Sequence, residues 1–91
     1  MSHLIANKAK LLARVRRLKG QMEAIERSLE EDAPCAETLN LVASVRGAVT
    51  GLTTELIEEH IREHVAGAHQ DAAARRQGAE ELIDVIRRYL K

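Results

Sequence analysis

LLARVRRLKGQMEAIERSLEEDAPC, residues 11–35, carries the reading on which the rest of the chain depends. Its apolar residues Leu11, Val15, Leu18, Met22, Ile25 and Leu29 step by alternating fours and threes, which puts them on one seam of a long helix. That helix is expected over about residues 6–31. Gly20 interrupts it at a cost of about 1 kcal/mol relative to alanine, so a close backbone contact or a register adjustment is expected there. Asp32, Ala33 and Pro34 end the run, and because proline suits the first turn of a helix, a second helix is expected from about residue 35.

Working outward, Leu39, Val42, Val45, Val49, Leu52 and Leu56 repeat at helical spacing and carry the second helix to about residue 65. At 1.5 Å per residue it should be about 45 Å long. Ala43, Gly47 and Gly51 recur every four positions and would let another helix approach closely. Gly67 reads as a stop, and the Ala-rich run from His69 to Gly78 as a linker or weak helical extension. Leu82, Ile83, Ile86, Tyr89 and Leu90 predict a short third helix over about residues 79–90.

The fold class is therefore all-α. At 91 residues the chain fits one domain, and with Tyr89 as its only aromatic residue the core must come from aliphatic side chains, which suits helix on helix. Two long helices joined by a short turn cannot enclose a core. A second copy is expected to complete an antiparallel four-helix-bundle homodimer, and the third helix either caps that bundle or joins dimers into a homotetramer. No apolar run is long enough to span a bilayer or act as a signal peptide, so a cytoplasmic protein without a membrane partner is expected. The lone Cys35 fits a reducing compartment and points to metal or redox chemistry. A long helical bundle offers no evident substrate pocket or oxyanion donors, so no enzyme is expected.

Net charge is zero, with 14 basic and 14 acidic residues, but the charges are segregated. Lys8, Lys10, Arg14, Arg16, Arg17 and Lys19 fall in a stretch free of Asp and Glu. Lys10, Arg14 and Arg17 form a stripe beside the apolar seam, with Arg16 and Lys19 spread around it. Such a stripe either follows a phosphate backbone or pairs with a neighbour's acids. The lack of aromatics disfavours single strands, so the expected nucleic-acid partner is double-stranded DNA. Arg46 lies in a small, apolar run of the second helix, where it either contacts DNA or pairs across an interface.

Four side chains could ligate a metal: His3, Cys35, His60 and His64. His60 and His64, spaced i, i+4, stack on one helical face. Cys35 and His60 are about 37 Å apart along the second helix and cannot meet within one chain. In an antiparallel dimer, however, Cys35 of one copy falls beside His60 and His64 of the other. The first helix runs back alongside the second, returning His3 and, after loss of Met1, a free α-amine to the same end. One thiolate with several imidazoles suits nickel, cobalt or zinc. His69 is read as exposed linker, and Glu63 as a surface carboxylate or a group orienting a ligand imidazole.

RVRRLKGQMEAIERSLEEDAPC (Arg14–Cys35), VRGAVTGL (Val45–Leu52) and EEHIREHV (Glu58–Val65) together resemble the CsoR/RcnR family of bacterial transcriptional repressors over nearly the whole chain. The resemblance implies a three-helix protomer, a dimer built on an antiparallel four-helix bundle, and a tetramer that binds operator DNA until an effector lowers its affinity and derepresses an efflux or detoxification gene. Copper sensors of this family carry Cys, His, Cys, and His64 stands where their second Cys would be. Formaldehyde sensors have an N-terminal Pro and a Glu at the position of His64, where this chain has Ser2 and His64. The set His3, Cys35, His60, His64 looks like the nickel/cobalt-sensing branch. The basic stripe looks more like the formaldehyde-sensing branch, so the alternative is a formaldehyde-responsive repressor that bridges Cys35 and the N-terminal amine.

Overall fold

The computed structural model describes residues 7–90. These form three helices, α1 (Lys8–Glu30), α2 (Cys35–His64) and α3 (Ala72–Tyr89), with no strand among the described residues. The first two lie within two residues of their expected bounds. Between them the chain turns through a Schellman motif: the Asp32 N–H donates to the Leu29 carbonyl (3.3 Å) and the Ala33 N–H to the Ser28 carbonyl (2.9 Å). The motif needs a left-handed residue, and Asp32 supplies it with φ 52°. Pro34 then offers its carbonyl to the N–H groups of Glu37 and Thr38, opening α2.

The chain forms two compact units, one taking in α1 with α2 as far as Thr53, the other α2 from Thr54 onward with α3. In the first unit α1 and α2 run antiparallel. Gln21 Nε2 donates to Ser44 Oγ (3.2 Å), and the Ser28 and Thr38 hydroxyls bond at 2.6 Å. Further along, Arg14 Nη1 lies 3.0 Å from where a Cβ on Gly51 would sit. Residues 14, 21 and 28, seven apart, thus meet successively earlier positions of α2. This divides the expected seam. Leu11 is buried and Leu18 and Ile25 are half-buried, whereas Val15, Met22 and Leu29 stay exposed. The close contact expected at Gly20 is not made, since nothing would lie within 4 Å of a Cβ there.

In the second unit, α3 begins at Ala72 rather than near residue 79. Asp71 is the cause: it is extended (ψ 175°), and its side chain accepts the Ala74 N–H at 2.7 Å as an N-cap. The added turns pack through small residues, Ala74 half-buried and Gly78 buried, so no large apolar repeat announced them.

Among the described residues Leu11 is the only buried hydrophobic one. Leu39, Val42, Val49 and Leu56 of α2 remain exposed, as do Ile83, Val85, Ile86 and Leu90 near the end of α3, and Tyr89 is 73% exposed. No helix of the described residues is long and apolar enough to cross a membrane.

Candidate metal centre and nucleic-acid face

His60 and His64 occupy the last turns of α2, where their one-turn spacing brings the ring centroids to 4.9 Å with a 42° tilt. Both are half-buried. They face a cleft of about 430 Å³ shared with Gln70, Ala74, Gln77 and Glu81. The far wall belongs to α3 and the segment before it, which explains why the sequence did not place these polar groups beside the histidines. The His60 ring is held from that side, its Nε2 lying 2.7 Å from the Gly78 carbonyl oxygen.

Cys35 is the first residue of α2 and its thiol is exposed. It borders a separate cleft of about 290 Å³ with Ser28, Leu29, Asp32, Ala33, Thr38 and Leu39. Cys35 and the histidine pair therefore sit at opposite ends of a single 30-residue helix. His3 lies outside the described residues. Among the described residues no three His, Cys, Asp or Glu side chains gather into a group that could hold a metal ion. Two stacked imidazoles fit nickel, cobalt or zinc chemically, but such ions ordinarily take four or more ligands. The described residues of one copy thus bring two such donors together.

Glu63 is exposed, whereas its neighbour Glu59 is 2% exposed. The Glu59 carboxylate is reached by the Arg62 guanidinium at 3.7 Å, and Arg62 also meets Glu58 at 3.4 Å. Burial of Glu59 was not legible from composition, because nothing in a cluster of acids says which one faces inward.

Of the basic residues, Lys10, Arg16, Arg17, Lys19 and Arg46 are exposed. Arg14 is half-buried, its guanidinium against Gly51, and both Lys10 and Arg14 are engaged in polar or electrostatic contacts within the chain. Arg16, Arg17 and Lys19 thus form the freer part of the basic face. Arg46 is exposed although it lies between Val42 and Val49, and its carbonyl accepts from Thr50 Oγ1 at 3.1 Å.

The profile of a family described as metal-sensitive transcriptional repressor matches residues 7–88. The chain belongs to that family. This repressor is 44% identical over 90 residues to the transcriptional repressor RcnR of Salmonella paratyphi B, a match that spans 99% of this chain and 94% of that one. It is 50% identical over its full 91 residues to the whole of an uncharacterised protein in the bioA 5′ region of Serratia marcescens. Among solved structures it resembles a glutamate-to-histidine variant of the formaldehyde-responsive regulator FrmR from Salmonella enterica serovar Typhimurium. That likeness has a TM-score of 0.86 at 38% identity, covering 92% of this chain and 94% of that one. The repressor's all-helical fold agrees with that of this neighbour, and its place among transcriptional regulators accords with a regulatory rather than an enzymatic role.

Proposed function

We propose that the repressor binds duplex operator DNA when metal-free and releases it when nickel or cobalt binds Cys35 of one copy together with His60, His64 and His3 of another; zinc suits the same donors. One observation carries this reading. Exposed residues of α2 repeat by fours and threes through Cys35, Leu39, Val42, Arg46 and Val49, and past the half-buried Thr53 the same heptad positions continue at Leu56 and end at His60. A helix with such a stripe pairs with its like, and antiparallel pairing sets the thiol beside the imidazoles. Similarity to RcnR and membership of a metal-sensitive family support a metal effector.

When bound, the metal supplies a cross-link between donors of two copies. The chain's own residues do the rest. Arg16, Arg17 and Lys19 of α1, with Lys10 and Arg46, face phosphates, while Arg14 stays against Gly51 of α2, and release follows if ligation favours an arrangement of copies that meets the duplex less well. The bundle and the tetramer built from it are part of this proposal, as are a single functional domain and a cytoplasmic setting. Cobalt titration followed by visible absorbance, alongside operator binding with and without cobalt, tests it. A thiolate-to-cobalt band that disappears in Cys35→Ala is expected, with operator affinity falling roughly 5- to 150-fold on loading. Loaded protein that holds DNA undiminished would refute the proposal.

A second reading rests on the likeness to the formaldehyde-responsive regulator. It has the exposed Cys35 thiol and the N-terminal amine joined through one carbon, with water leaving. An intact-mass increase of one carbon after mild aldehyde treatment, absent in Cys35→Ala, would favour it.

A further inference from the structure

We propose that Gly78 is a positioning residue for both histidines of the metal site: its carbonyl sets the His60 ring in one tautomer, and its missing side chain lets α3 rest on the backbone of His64. The proposal deepens the metal-sensing reading and rests on it for its functional meaning, though not for its structural content.

Three observations converge on this residue. The first is the 2.7 Å contact between His60 Nε2 and the Gly78 carbonyl. A carbonyl oxygen can only accept, so Nε2 carries the hydrogen, and in the neutral ring the lone pair is left on Nδ1. A helix carbonyl has two lone pairs, so Gly78 can take this bond without giving up its own place in α3. The second is steric. A Cβ on Gly78 would overlap the carbonyl oxygen of His64 and come within 2.8 Å of both its carbonyl carbon and its Cβ. Backbone cannot swing aside as the end of a long side chain can, so even alanine would force α3 away from α2 here. The third is burial, since Gly78 is a buried residue in a helix that is otherwise largely exposed.

Together these make one residue of α3 the reference point for two ligands on α2. His60 is registered through its ring and His64 through its backbone, at the turn of α2 where the two rings lie 4.9 Å apart. A ligand imidazole whose second nitrogen is committed to a carbonyl presents a single nitrogen in a single direction. Replacing partners of this kind in metal sites typically lowers metal affinity by about 10- to 100-fold.

The test uses the full-length, assembled protein. Imidazole nitrogen NMR of the metal-free wild type should show His60 as the Nε2–H tautomer. In Gly78→Ala the His60 signals should move toward tautomer averaging and cobalt affinity should fall about 10- to 100-fold, with helix content by circular dichroism retained. Should the alanine variant fail to fold, the wild-type tautomer decides alone. A His60 ring that is Nδ1–H or averaging in the wild type overturns the proposal, as does a folded Gly78→Ala that binds cobalt like the wild type. A wild type that binds no cobalt yet keeps the Nε2–H form would sink the metal reading and leave the Gly78 clamp standing.

Discussion

Asp32 holds the one positive φ among the described non-glycine residues, and the turn between α1 and α2 depends on it. Aspartate tolerates the left-handed region better than most residues, yet it still pays a steric penalty that glycine avoids. Asp32→Gly is therefore expected to raise stability by up to about 1 kcal/mol, and Asp32→Val to lower it by about 1–2 kcal/mol, both read from urea unfolding midpoints. If the valine variant matched the wild type, the left-handed geometry would be wrong. Punctuation by Asp32, Ala33 and Pro34 was legible in the sequence, because few residues can end one helix and open another. The direction of Arg14 was not. Its spacing from Lys10 and Arg17 grouped it with an open basic stripe, but the same spacing also suits the positions facing α2, and only the gap left by Gly51 shows which applies.

Helices α1 and α2 were readable because large apolar residues mark a continuous repeat along each. Half of the α1 repeat, however, faces α2 and half remains exposed, since a seam of alternating threes and fours is wide enough to serve two neighbours at once. The start of α3 escaped because its first two turns half-bury Ala74 and bury Gly78, and small residues contribute too little hydrophobicity to stand out. Asp71 defines that start through its bond to the Ala74 N–H. Asp71→Ala is expected to cost about 1 kcal/mol and to raise hydrogen exchange in Ala72–Gln77 well before the rest of α3. Unchanged exchange there would mean that packing, rather than the cap, holds the first turns.

A chain with one buried hydrophobic residue among those described cannot draw its stability from its own interior. Copies must cover Leu39, Val42, Val49 and Leu56 if the proposed bundle forms. Val49 distinguishes the two cases sharply. On a free surface Val49→Glu would change stability by about 0.5 kcal/mol or less, but near a dyad it would bury two like charges together. We expect it to split the assembly and to lower the unfolding midpoint by several degrees, as followed by light scattering and thermal melts. An intact oligomer would rule out pairing through this face of α2. The placement of Cys35 at one end of α2 and of His60 and His64 at the other was legible from spacing alone, because a regular helix carries register over any distance. The Gly78 contact was not, since it depends on how closely α3 approaches. Tyr89 lies at the far end of that third helix, 73% exposed and without Trp or Phe elsewhere in the sequence. Its phenol is the chain's sole intrinsic fluorophore, so emission can report what covers this tip without any label, and near-ultraviolet absorbance will be faint enough that concentrations are better taken from the peptide bond.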